Sequence, residues 1–161
     1  MTNEYNDVNQ EVEGQQEEAK VYDMAFFLPS NEAELKEERA IITTRYRDKN
    51  GEPVPFVFKA ISTERIDELT SYYTSVETKG KNKGQKKFDN ERFAAKIAVE
   101  TTVFPNFKDR EFLDAHNTSD SITAAKKMLS VGGEYNNWID KAFNVNGYGE
   151  GYEDIEEEAK N

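Results

Sequence analysis

The residue types that could do chemistry gather in one place. Within "TTVFPNFKDREFLDAHN", Thr101 to Asn117, the chain's only histidine, His116, lies within a few residues of Asp109, Glu111 and Asp114. A histidine beside carboxylates could act as a general base or ligate a metal. Neither role has a setting here, because no Gly-x-Ser-x-Gly elbow, HExxH helix, phosphate-binding loop or GxGxxG accompanies it. The structural reading is stronger: Asp109 at the start and His116 at the end of a short helix each match the helix dipole. The chain has no cysteine, which removes disulfides, thiolate zinc sites and a cysteine nucleophile.

Two other stretches hold chemistry-bearing residues. "KGKNKGQKK", Lys79 to Lys87, has five lysines and no acid. It lacks arginine for base-edge contacts and aromatic groups for stacking. It reads as a solvated loop between helices, with salt-sensitive pairing to acidic segments as the second reading. "GYGEGYEDIEEE" spaces its acids without the order of a calcium loop. No metal, cofactor or catalytic residue is assigned, and an enzyme is not expected.

The charge map separates the middle of the chain from its ends. Residues 1–20 and 147–161 each carry six acids and one base, whereas residues 21–146 carry 20 acids and 19 bases, so the net charge of −11 belongs to the ends. Acidic segments poor in apolar side chains cannot offset the entropy of ordering. They are expected to be disordered: residues 1–20 entirely and 148–161 mostly, flanking one domain over 21–147. A net negative chain argues against nucleic-acid binding. The first residues show no secretory signal and no segment has the length of a membrane span, so a soluble cytosolic protein is expected.

The elements follow from local patterns. "AFFLP" makes a short apolar element ended by Pro29. "AIITTRYRDKNGEPVPFVFKAI", Ala40 to Ile61, predicts a β-hairpin turning at Asn50-Gly51. Its alternation puts Ile42, Thr44 and Tyr46 on one face and Val54, Phe56 and Phe58 on one face of the returning strand. A first helix is predicted from the cap Ser62 to about Val76. A second is predicted from Asp89, with Phe88 against Phe93, up to Pro105. A short helix with Phe107, Phe112 and Leu113 follows. Two more helices complete the pattern, one capped within Thr118 to Ser121 and broken by Gly132-Gly133, the other running from Glu134 to about Asn144. The expected fold is α+β, a β-hairpin packed against four to five helices, with disordered acidic N- and C-terminal tails.

Four stretches, "AFFLPSN", "TTRYRDKNGEPVPFVFKAIS", "VFPNFKDREFLDAHN" and "KKMLSVGGEYNNWIDKAFNVNGY", occur in the order and at roughly the spacing of one family. Over about residues 24–148 the chain resembles the XkdN-like phage tail assembly chaperones. It departs from their pattern in its acidic ends and in Val131-Gly132-Gly133. The resemblance implies a non-enzymatic protein, made in the infected host, that binds the tape measure protein, keeps it soluble and promotes tail tube assembly before leaving the virion. Tail tube protein and further copies of the chain are additional expected partners; nucleic acid and membrane are not. The partner contacts are expected at Phe26, Phe27, Leu28 and Trp138. The alternative is a structural virion protein, a tail tube or tail completion component, that uses its hairpin as a polymerisation edge.

Overall fold

The computed structural model describes residues 22–149, so the disorder expected for residues 1–20 and for most of 148–161 lies outside the described residues. The chain divides into two units, one ending at Glu34 and one starting at Leu35. In the first, two 3-10 turns follow each other, Met24–Phe27 and Pro29–Asn31.

The second unit is the α+β fold expected from the sequence. Strands β1 (Glu38–Ala40) and β2 (Phe56–Phe58) pair antiparallel, Glu38 opposite Phe58 and Ala40 opposite Phe56. Between them the chain turns at Asp48 to Glu52. Gly51 N–H donates to the Asp48 carbonyl at 3.0 Å, Asp48 Oδ1 accepts from the Asn50 and Glu52 amides, and Gly51 has φ +81°, a conformation that only glycine adopts at little cost. The expected alternation of Ile42, Thr44 and Tyr46 does not hold. The chain leaves the ladder after Ala40, and Ile42 and Thr43 are both buried. The Thr43 hydroxyl donates to Glu134 Oε1 and accepts from the Arg45 amide, a local bonding choice that competes with a strand.

Helix α1 (Thr63–Tyr72) starts where Ser62 accepts a hydrogen bond from the Arg65 amide. It stops before the predicted end near Val76. Thr74–Val76 is instead strand β3, paired with β4 (Lys86–Phe88) in a separate two-stranded sheet, so the lysine run is the turn and return strand of a hairpin rather than a plain loop. Helix α2 (Asn90–Thr101) is capped by Asp89, with the Phe88 and Phe93 rings 5.0 Å apart. It too ends earlier than expected. Thr102–Phe104 is strand β5, antiparallel to the other side of β2. Threonine, valine and a residue before proline favour extended backbone, and an open β2 edge supplied the partner.

Helices α3 (Arg110–Ala115) and α4 (Ser121–Met128) are capped by Asp109 and Asp120. Helix α5 runs from Gly132 to Val145, so the two glycines open this helix and the break falls just before them. Helix α2 is central, packing on α1, α4 and α5, and its Ala95, Ala98 and Val99 join Phe56, Phe58, Phe107, Ile122, Leu129 and Ala142 in one core. Trp138 lies at its centre, fully buried, 5.0 Å from the Phe107 ring. Its indole N–H donates to Thr102 Oγ1 at 2.8 Å, and the Thr102 hydroxyl donates to the Ala98 carbonyl at 2.7 Å.

A buried N–H stripped of its acceptor costs about 1–3 kcal/mol. Thr102→Val should therefore lower unfolding stability by about that much in urea titration, and the loss should shrink in a Trp138→Phe background, where no indole N–H remains.

Candidate functional site

The apolar run near the start builds its shape from its own backbone. Asp23 Oδ1 accepts from the Ala25 amide at 2.9 Å, opening the first turn as an N-cap does. The Leu28 amide reaches the Ala25 carbonyl, and Pro29, with φ preset for a turn, opens the second, closed by Glu32 N–H on the Pro29 carbonyl. Asn31 Nδ2 donates back to the Ala25 carbonyl at 2.6 Å, tying the two turns together. Local bonds thus hold the conformation and leave the apolar side chains open. Phe26 is 56%, Phe27 80% and Leu28 54% exposed, and Tyr22 and Met24 are likewise open on the same segment. Contiguous exposed apolar surface of this kind marks interaction sites.

The expected contact residues therefore part company. Phe26, Phe27 and Leu28 stand together in one solvent-exposed pair of turns, whereas Trp138 is interior and offers no surface. Its burial was not legible from "EYNNWIDKAF", which gives a helix face but not what that face meets. The exposure of Tyr22 and Met24 was missed too, although their apolar character just before "AFFLP" was the available signal.

His116 is the C-cap of α3. Its Nδ1 donates to the Phe112 carbonyl at 2.9 Å and its ring lies 4.4 Å from that of Phe112. Asp109 Oδ1 accepts from the Phe112 amide at the other end of the helix. The two residues sit at opposite ends of one helix, as expected from the dipole, and are not brought together as an acid-base pair. Among the described residues, no group of three or more His, Cys, Asp or Glu side chains could hold a metal ion.

The most concentrated electrostatics lie between α1 and α2. Arg65 grips Glu100 with two bonds of 2.7 Å and Glu68 with a third. Lys108 and Lys96 approach Glu100 at 3.7 and 3.9 Å, and the Glu100 side chain is only 8% exposed. The neighbouring groove, about 490 Å³, is lined in part by Arg65, Tyr72, Arg92, Lys96 and Asp120. Arg92 pairs with Asp120 there. These charges satisfy one another, so the arrangement clamps helices and presents no free acid or base. The Arg65 hydrogen bonds, against the cost of burial and with help from the Lys108 charge, hold the Glu100 carboxyl below the ordinary glutamate value. A carboxylate whose folded value is depressed contributes stability that is complete above its unfolded value and is lost as pH falls through the folded one. Unfolding midpoints of the protein should thus drop as pH is lowered below about 4.3, the unfolded glutamate value, and Glu100→Gln should flatten that acid limb.

Known proteins share this sequence and fold. A family model described as phage XkdN-like tail assembly chaperone protein matches residues 24–160. The uncharacterized protein YqbN of Bacillus subtilis (strain 168) is 51% identical over 143 residues, 88% of this chain and 95% of that protein. The phage-like element PBSX protein XkdN of the same strain is 45% identical over 142 residues, again covering 88% and 95%. A crystal structure of YqbN superposes with a TM-score of 0.70 at 46% identity, over 80% of this chain and 99% of that one. No helix among the described residues is long and apolar enough to cross a membrane. Matched over most of its length and sharing its solved fold, the chain belongs to the XkdN-like family of phage tail assembly chaperones.

Proposed function

We propose that this protein binds the tape measure protein of a tailed phage in the host cytoplasm, keeps it soluble and promotes tail tube assembly around it, and then stays out of the finished virion. Membership of a tail assembly chaperone family implies binding of phage tail proteins in a non-enzymatic role. The observation that carries the finer reading is the exposed apolar pair of turns. A tape measure protein is a long, largely helical and aggregation-prone chain, and a chaperone for it needs open apolar anchors on a charged body that resists association. Phe26, Phe27 and Leu28 are the proposed anchors, since aromatic side chains dominate such contacts. Trp138 enters only indirectly, by holding α5 within the core. Tail tube protein and a second copy of the chain are further candidate partners of the same segment.

A structural role in the tail draws on a different feature. Strand β5 is an edge of the three-stranded sheet, with Val103 and Phe104 about half exposed, and an open edge is a template for pairing.

The experiment that tests the chaperone reading is co-expression of the protein with the tape measure protein of its own phage, followed by pull-down. Phe26→Ser with Phe27→Ser should weaken capture at least tenfold, or about 1.4 kcal/mol, while the circular dichroism of the variant stays unchanged. Undiminished capture would remove these residues from the contact. Mass spectrometry of purified particles should find the protein absent, and stoichiometric amounts in the virion would favour the structural role.

A further inference from the structure

We propose that the lysine-rich hairpin β3–β4 is the docking surface for this chain's own acidic segment, residues 150–158. The inference does not rest on the tape measure reading.

The hairpin stands out from the body. Every residue from Ser75 to Arg92 is exposed, and a two-stranded sheet alone is marginal in water. It carries Lys79, Lys81, Lys83, Lys86 and Lys87 within nine residues. In the helical body, Arg45, Arg65, Arg92, Lys96, Lys108, Lys126 and Lys141 each reach a carboxylate. Among the described residues none of the five hairpin lysines does. Val76 and Phe88 leave apolar area open beside them, 53% and 42% exposed.

The complementary segment is "EGYEDIEEE". It has six acids in nine residues, Glu150, Glu153, Asp154, Glu156, Glu157 and Glu158, interrupted by the apolar Tyr152 and Ile155. That composition suits a surface of lysines flanking valine and phenylalanine.

The fold puts this segment within reach. Asn146, just past α5, accepts from the Ile61 amide at 2.9 Å and donates to Thr101 Oγ1 at 2.8 Å, so the chain leaves α5 beside the start of α1 and the end of α2. Those two helices run antiparallel, since Arg65 meets Glu100 at one end and the Asp89 amide meets the Tyr73 carbonyl at the other. The base of the hairpin therefore lies one helix length away, roughly 15–18 Å at 1.5 Å per residue. The chain first turns back on α5, the Tyr148 amide donating to the Phe143 carbonyl at 3.0 Å. From Gly149 an extended chain covers about 13 Å by Glu153, about 23 Å by Glu156 and about 30 Å by Glu158, at about 3.3 Å per residue, before the reach of the lysine and carboxylate side chains is added. The first acids can meet Lys86 and Lys87 and the last can meet the lysines of the turn. Tethering gives the segment an effective concentration in the millimolar range, so a free polyanion must displace it to reach the hairpin.

Zero-length carbodiimide cross-linking of the full chain, read by mass spectrometry on the monomeric fraction, tests the docking. Links should join Lys79, Lys81, Lys83, Lys86 and Lys87 to the acids of 153–158. Their yield should fall at least tenfold in about 1 M salt, where the screening length is about 3 Å. Replacing Lys81, Lys83, Lys86 and Lys87 with Gln should abolish these links with the helical signal unchanged. Four results would overturn the proposal: links confined to a covalent dimer, which make a second copy the occupant; links from Glu4 to Glu18 in their place; links spread equally to Lys36, Lys49 and Lys141; or no links. Tight binding of a short oligonucleotide by the full chain at low salt would also overturn it, because a covered hairpin should not show it.

Discussion

The indole N–H of Trp138 needs an acceptor where water cannot reach, and the rest of the second unit is arranged around the residue that supplies it. Thr102 is the joint at which α2 ends and β5 begins. Its hydroxyl accepts from the indole and donates to the Ala98 carbonyl, so one oxygen satisfies a buried donor and adds a second bond to a carbonyl that already accepts the Thr102 amide. Because Thr102 pairs opposite Phe58 on β2, this bond ties α5, α2 and the sheet at one point. A buried polar pair of this kind leaves little freedom in how α5 docks, since any other register strands the N–H.

Around that joint the remaining polar contacts work at the periphery. Arg65 with Glu100 fastens α1 to α2, and Arg45 with Glu134 fastens the irregular segment after β1 to the first turn of α5, Arg45 Nη2 also reaching the Met128 carbonyl. Helix α5 has no side-chain cap at Val131. The Glu134 carboxylate in its first turn interacts favourably with the dipole there, while Thr43 and Arg45 hold the carboxylate itself. The Arg45 and Thr43 hydrogen bonds keep Glu134 ionised below its usual range against the cost of desolvation.

Among the described residues, two features keep open surface: the 3-10 turns at Met24–Asn31, with Phe26, Phe27 and Leu28 exposed, and the lysine hairpin. One is apolar and locally braced, the other charged and extended.

Caps, turns and family were written in the sequence, because each depends on residues a few positions apart. Ser62, Asp89 and Asp109 marked helix starts through a side chain reaching an amide three residues on, and the cap expected within Thr118 to Ser121 is Asp120. Gly51 marked a turn through its permitted φ, and four motifs in order marked the family. What only the tertiary structure decided were pairings between distant residues. Whether Thr74–Val76 continued a helix or met Lys86–Phe88, whether Thr102–Phe104 ended α2 or added a strand to β2, and whether Trp138 faced solvent or Thr102 depended on a partner remote in the chain. In short segments of β-branched and aromatic residues, local preference differs by less than the free energy of one such pairing, so the partner settles the conformation.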